Sequence, residues 1–339
     1  MSFIRTIHED IDPENLGFTY SHEHLICRPM YWIEKGNDDL ILDSVEKTSK
    51  DVLEYLALGG KSIVDATAID YGRDMAAVSE ISRLTGVKIV ATAGFNKGLL
   101  WSSKLTKELQ NIIGSFPTYK EWIEKTSIEI LAEHVAGEVE NGMEGTKCRA
   151  GQVKFGTGYN SISPLEEKTI RAVAMAHHKT KAPIHSHTEA GTMALEQIDI
   201  LKEENVDLSN VSFGHMDRNL DLYYYEKILD TGAFLCFDGM GKIKYAPESA
   251  RIEAIIELCK RGHSKRILVS HDMARKSYYR HYNHGIGLSF IKEKWIPRFV
   301  DQAMAAGLDD NELINAFFVD NPRICFTFKH GSGDRNETL

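Results

Sequence analysis

His22 and His24 stand one residue apart in the run GFTYSHEH at residues 17–24. If that run is a strand, alternating side-chain directions put both imidazoles on one face, where they can clamp a metal ion. An H-x-H pair by itself is as often incidental. Its weight comes from His187, His215 and Asp272, which stand at or near the ends of later apolar runs, and from Lys154 near the end of another. An apolar strand is a costly place for an unpaired ammonium. A buried lysine can shed its proton and then take up carbon dioxide, giving a carbamate whose two oxygens can bridge two cations. The pattern predicts a metal centre of imidazole and carboxylate ligands and metal-assisted hydrolysis as its chemistry. Asp272 is placed to take the proton of the attacking water and pass it to the leaving oxygen.

The elements that must position these residues read as alternating strands and helices. Strands are expected at residues 17–24, 62–67, 88–95, 151–156, 183–188, 211–216, 233–238 and 266–272. These runs are rich in Val, Ile and Phe, as strands buried on both faces are. Helices are expected at 43–58, 73–84, 163–178, 190–204, 220–230 and 247–261. The first ends before Gly59-Gly60, and the third starts at Ser163-Pro164 with Glu166 and Glu167 behind it. The connection 96–149 is long enough for two or more helices. Eight strand–helix units predict an α/β fold, the TIM (β/α)8 barrel. An open doubly wound sheet would carry a glycine-rich turn after its first strand, where this chain has His-Glu-His. No linker or repeat interrupts the pattern, so a single domain is expected over residues 1–330, with a flexible tail at 331–339.

The 339 residues carry a formal net charge of -9. That balance argues against nucleic acid as a partner, since phosphate binding needs a basic surface. No run of about 18 apolar residues exists, so no membrane span is expected. Residues 1–12 lack the apolar core of a secretory signal. Five widely spaced cysteines, none in a C-x-x-C pair, read as reduced thiols in a cytoplasmic protein.

Two loops add a local cationic cluster. One is DGMGKIKY at residues 238–245 and the other DMARKSYYR at 272–280. Barrel enzymes often bind a substrate phosphate beside the last two strands, and Lys, Arg and Tyr suit that task. Lys244, Arg275 and Tyr278 are the preferred phosphate contacts. Lys242 and Lys276 rank below them, because neighbours on an extended loop face opposite ways. Lys97 and Asp217 are further candidates, the first for substrate and the second for orienting a ligand histidine. His185 should lie one layer deeper than His187, and His271 should point away from the metals. His134, His177, His178 and His263 are expected to face solvent.

In order and strand placement, SHEHL (residues 21–25), VKFGT (153–157), PIHSHTEAG (183–191), FGHMD (213–217) and VSHD (269–272) resemble the phosphotriesterase family of the amidohydrolase superfamily. The resemblance covers nearly the whole chain. It implies a more buried metal held by His22, His24 and Asp272 and a more exposed one held by His187 and His215. Carboxylated Lys154 and a hydroxide would bridge them. The ions implied are two divalent metals, usually zinc, with manganese or cobalt as substitutes, and a homodimer is common in such a family. Within it, the polar loops resemble the branch that opens phosphorylated sugar lactones, so the expected substrate is a small anion, a furanose 1,4-lactone 5-phosphate. An acyl-homoserine lactonase or a phosphotriesterase is the alternative inside the family. Outside it stand a metal-dependent nuclease, disfavoured by the acidic charge, and a non-catalytic metal-binding protein.

Overall fold

The computed structural model describes residues 2–329. The tail expected at 331–339 lies outside them, as does the domain boundary at 330. The chain opens with a short antiparallel hairpin, β1 (Ile4–Arg5) and β2 (Asp10–Ile11), which the sequence pattern had not suggested. Eight parallel strands follow: β3 (Thr19–Glu23), β4 (Ser62–Asp65), β5 (Lys88–Gly94), β6 (Gln152–Thr157), β7 (Ile184–Thr188), β8 (Val211–Gly214), β9 (Phe234–Phe237) and β10 (Ile267–Val269). They form one sheet in the order β10-β9-β8-β7-β6-β5-β4-β3, the barrel that the alternating pattern predicts. The hairpin packs Ile4 and Ile11 with Leu16 against Val64, Val90, Phe234, Cys236 and Leu268, strand residues that form a second core cluster apart from the main one under the helices.

Helices cover the sheet from outside. Val45–Ala57 starts at Ser44, whose side chain accepts from Lys47 N, and Met75–Thr85 starts at Asp74 in the same way and stops at left-handed Gly86. Pro164–Thr180 carries the full capping box of Ser163 and Glu166 with Pro in its first turn. The long connection after β5 holds three helices, Lys107–Ile113, Tyr119–Lys125 and Ile128–Glu140. The helix expected at 190–204 starts only at Ala194, because Ala190 and Met193 take left-handed backbone angles.

Several strands end sooner than their apolar runs, β8 and β10 among them. β8 stops at Gly214 because His215 has φ 63°, and β10 stops at Val269, with Asp272 beyond it at φ 52°. Non-glycine residues in this region are strained and cluster at functional sites. β3 has its own irregularity. Its pairing with β4 shifts between Tyr20 and Glu23. Tyr20 packs outward on Tyr55 of the helix Val45–Ala57, with ring centroids 4.3 Å apart. Strict alternation would place His22 on that same face. The bulge turns it inward instead.

The seam between β3 and β10 is closed largely by side chains. Asp272 N donates to His22 O (3.0 Å), and His22 N donates to Ser270 Oγ (3.0 Å). Glu23, fully buried, accepts at Oε1 from Ser270 Oγ (2.7 Å), His271 N (2.8 Å) and His271 Nδ1 (2.8 Å), and at Oε2 from Met273 N (2.9 Å). His271 therefore points away from the metal-facing residues, as expected. Among the described residues no helix is long and apolar enough to cross a membrane, and all five cysteines are buried and unpaired.

Four donors converging on one carboxylate make Glu23 the fastening of the seam. Glu23→Gln replaces one acceptor atom with a donor facing donors, which should cost on the order of 3 kcal/mol. The thermal unfolding midpoint should fall by roughly 5 °C or more. An unchanged midpoint would refute this account of closure.

Candidate metal centre and substrate cavity

His22, His24, Lys154, His187, His215 and Asp272 all reach the C-terminal mouth of the barrel, and all are at most 7% exposed. His22 Nδ1 lies 2.9 Å from Asp238 Oδ2, which leaves Nε2 facing Asp272 Oδ1 at 3.7 Å with no hydrogen-bond partner. His24 Nδ1 pairs with Thr67 Oγ1 (2.8 Å), and its Nε2 lies 3.3 Å from the same Asp272 oxygen. Ligand bonds near 2.1 Å in a tetrahedron put donor atoms about 3.4 Å apart, so these three atoms fit a divalent cation. His187 Nδ1 and His215 Nε2 face each other at 2.8 Å. Their outer nitrogens are taken by carboxylates. Glu189 Oε2 accepts from His187 Nε2 (2.8 Å), and Asp238 Oδ1 accepts from His215 Nδ1 (2.7 Å). Such second hydrogen bonds fix the tautomer that offers the free nitrogen to a metal.

The charge states suit ligands, which must be deprotonated. Burial pushes His24, His187 and His215 down, the last to about 3. Burial alone would raise the Asp272 carboxyl, but Lys242, His24, His215 and His22 hold it well below the usual carboxylate range. Lys154 is fully buried, its Nζ donates to Ala66 O (2.8 Å), and burial brings it down to about 8. A neutral amine, the form that takes up carbon dioxide, is thus accessible near neutral pH.

Above this cluster lies a cavity of about 250 Å³. Its far wall is built by the loops after β9 and β10. Tyr278 stands among cations, its ring centroid 5.1 Å from Lys242 Nζ, 5.7 Å from Lys244 Nζ and 6.0 Å from Arg275. Partial burial, then repulsion from Arg275, Lys242 and Arg218, brings Lys244 down to about 8. Lys242 and Arg275 are paired with Asp272 and Asp39, while among the described residues no carboxylate pairs with Lys244, and a cluster of cations with one left unpaired can receive an anion.

Several placements differ from the sequence reading. Lys242 ranked below Lys244, yet Lys242 is the buried one, donating to Asp272 O (2.5 Å) and Oδ2 (2.6 Å), while Lys244 stays at the rim. A tight turn, Lys242 N to Gly239 O at 2.9 Å, replaces the extended loop on which that ranking rested. Lys276 does point away, onto Asp38 (2.9 Å). Arg275 lines the cavity but is braced by Asp39 (3.1 Å). Lys97 also lines it, paired with Glu189. Asp217 is fully buried and does not touch His215. It accepts from Asp238 N (3.1 Å) and Arg251 Nε (2.7 Å), so it supports the carboxylate that orients His215. His185 lies one layer down, 3.1 Å from His22 Nδ1. His177 was expected in solvent but is buried, its Nδ1 bonded to Ala182 O (2.7 Å), and His134 is largely covered by Trp122.

The sequence reading missed Asp238, Arg218, Glu189 and Asn96. Asp238 carried a usable signal, since it directly follows β9. Arg218 carried little. Its Nη2 donates to Asp272 Oδ2 (2.8 Å) and its guanidinium lies 4.3 Å from the Tyr245 ring.

Comparison with known proteins follows this geometry. The family model described as "Phosphotriesterase family" matches residues 2–326. A phospho-furanose lactonase of Mycoplasmopsis agalactiae is 33% identical, over 96% of this chain and 92% of its own length. The crystal structure of a lactonase from Listeria monocytogenes is 63% identical with a TM-score of 0.96, covering 97% of this chain and 100% of that one. The phosphotriesterase homology protein of Escherichia coli, solved with phosphate in its active site, is 30% identical with a TM-score of 0.82, covering 93% and 100%.

Two outcomes test the centre. Asp238→Asn removes an acceptor shared by His22 and His215 and should weaken divalent-ion affinity about 10- to 100-fold in chelator competition. Unchanged affinity would show that Asp238 does not orient these rings. Because Lys154 loses its proton as pH rises through about 8, bicarbonate added to give the same dissolved carbon dioxide at both pH values should speed metal reconstitution of the stripped protein more at pH 8 than at pH 6. No bicarbonate effect at either pH would remove the carbamate.

Proposed function

The chain belongs to the phosphotriesterase family of the amidohydrolase superfamily and is a hydrolase, and on that premise we propose that it is a lactonase that opens phosphorylated furanose 1,4-lactones to sugar-acid phosphates. The observation that carries this reading is the cationic wall of Lys242, Lys244 and Arg275 around Tyr278, directly above the metal-facing carboxylate Asp272. A neutral triester or an acyl-homoserine lactone offers nothing to balance it. The 63% identical lactonase, the phospho-furanose lactonase relative and the phosphate held by the Escherichia coli homologue support the same substrate class.

In this proposal His22, His24 and Asp272 would hold one divalent ion and His187 and His215 a second, with Lys154, once carboxylated, supplying a further anionic ligand. Zinc is the first choice, with manganese or cobalt as substitutes. Bound there, the ions polarise the substrate carbonyl and lower the pKa of the attacking water. The chain's own residues do the rest. Asp272, kept anionic by its cations, accepts the proton of the attacking water. As the bond between the carbonyl carbon and the ring oxygen breaks, Asp272 returns that proton to the departing ring oxygen. Lys242 and Arg218 fix the carboxylate through its Oδ2 and leave Oδ1 turned towards His22 and His24. Tyr278 and Arg275 hold the phosphate, with Lys244 adding charge at the rim. Holding both ends of the substrate turns the attack into an oriented step within one complex.

The test compares 5-phosphorylated with unphosphorylated furanose lactones on metal-reconstituted protein. The phosphorylated form should be preferred, and Arg275→Ala should lower its kcat/KM roughly 10- to 100-fold, with metal content intact. Equal rates on both forms would keep the lactonase and discard the phosphate wall.

A further inference from the structure

Across the ring from β9, a different wall closes the cavity. β5 is four strands away from β9 in the eight-stranded order, and Asn96 and Lys97, the second and third residues past its end, line the cavity. Glu189, after β7, lies beside them and pairs with Lys97. These groups differ from the cations opposite. Arg275 is braced by Asp39 and Lys242 by Asp272, whose side chain is 10% exposed, whereas Glu189, the partner of Lys97, faces the cavity with its side chain 32% exposed. Asn96 is 3% exposed, and its Oδ1 is buried with no hydrogen-bond partner. Its backbone is not free to relax, since Asn96 N donates to both oxygens of Asp70 (2.8 and 2.9 Å). A buried amide oxygen without a partner is destabilising, and such an atom calls for a structural or functional reason.

The substrate's covalent geometry says what that ligand group is. In a furanose 1,4-lactone the carbonyl carbon C1 is flanked by the ring oxygen on one side and C2 on the other. The phosphate-bearing C5 is attached through C4, beyond the ring oxygen. If the carbonyl lies over His22, His24 and Asp272, and the phosphate lies against the β9 and β10 loops, the C2 hydroxyl points to the β5 and β7 side. A hydroxyl is one donor and two acceptors. A lysine ammonium paired with a carboxylate, both lining the cavity beside the Asn96 amide, offers the complement.

We propose that Asn96, Lys97 and Glu189 form a second recognition wall that binds the C2 hydroxyl of the lactone ring. The inference rests on the phosphorylated-lactone reading for the direction of the ring. The wall selects aldonolactones over deoxylactones, and it sets the ring's orientation through the end remote from the phosphate. Glu189 also accepts from His187 Nε2 (2.8 Å), so it spans the wall and a metal-facing histidine. For this reason Lys97 and Asn96 are the residues to vary.

The experiment uses the metal-reconstituted full chain and four substrates: a pentono-1,4-lactone 5-phosphate, its 2-deoxy counterpart, and both without phosphate. The wild type should favour the 2-hydroxylated lactone over the 2-deoxy one by at least about tenfold in kcat/KM, because a site built to bind a hydroxyl rejects the analogue lacking it. Lys97→Met and Asn96→Leu should each bring that ratio towards one, whatever the fall in absolute rate. Calorimetric binding of the 2-hydroxylated and 2-deoxy product acids should show the same contrast. A wild-type ratio near one, or a ratio kept by both variants, overturns the wall. Hydroxyl discrimination without phosphate preference supports the wall and counts against the phosphate pocket. The reverse pattern counts against the wall alone. No turnover of any of the four overturns both.

Discussion

Two carboxylates, Asp238 and Asp272, are buried within the mouth of this barrel, and the rest of the site follows from keeping them ionised. A bare carboxylate in such surroundings costs several kcal/mol. Asp238, fully buried, is offset by the ring nitrogens of His22 and His215 and by His215 N (2.9 Å). Asp272 is offset by Lys242 and Arg218. Each arrangement has a consequence beyond neutralising charge. A histidine whose outer nitrogen donates to Asp238 must present its other nitrogen unprotonated to the centre. A carboxylate whose Oδ2 is held by two cations must present Oδ1 to His22 and His24. Ligand tautomer, ligand direction and local charge are therefore set together.

The same network reaches outwards to the substrate loop. Arg251, fully buried on the helix Glu248–Lys260, donates to Asp217 (2.7 Å) and to Lys242 O (2.7 Å). Glu248 on that helix accepts from Gly241 N (2.8 Å). Asp217 comes so close to the loop that a side-chain carbon on Gly239 would lie 2.1 Å from its carboxylate. The loop after β9 is thus held from behind by the helix that follows it and from below by the end of β8. A cation on a loop fastened at these points keeps its place without substrate, and less ordering is then left for binding to accomplish.

These connections explain what could be seen in the sequence. The barrel was legible because its strands are buried on both faces and its helices carry strong caps, as at Ser163 and Gly86. The metal-facing set was legible because His22, His24, Lys154, His187, His215 and Asp272 are unusual residue types for the ends of apolar strands. Asp238 and Asp217 were harder, since an aspartate after a strand is ordinary turn chemistry until its partners are known. Lys242 and Lys244 differ in burial because a turn at Gly239 sets their directions, and alternation holds only on an extended chain. Arg218, Glu189 and Asn96 act through partners 54, 92 and 26 residues away, at Asp272, Lys97 and Asp70. No local pattern encodes such pairings. The left-handed backbone at His215 and Asp272 was likewise invisible, although it is what turns these two side chains into the mouth after their strands have ended.

The division of the cavity into two unlike walls constrains the substrate more tightly than either wall does. The β9 and β10 side presents a cluster of cations, where partial burial and then repulsion from Arg275, Lys242 and Arg218 pull Lys244 down, so it favours a compact anion. The β5 and β7 side presents the charge-balanced pair of Lys97 and Glu189 beside Asn96, which favours a neutral hydroxyl that can both donate and accept. Asp272 lies between them. A ligand that meets all three needs an anionic group at one end, an electrophilic carbonyl in the middle and a hydroxyl on the adjoining carbon, all within about 250 Å³. On the proposed reading an aryl phosphotriester would bring neither the charge nor the hydroxyl, and the donors and acceptors that suit a sugar lactone phosphate would be left without partners.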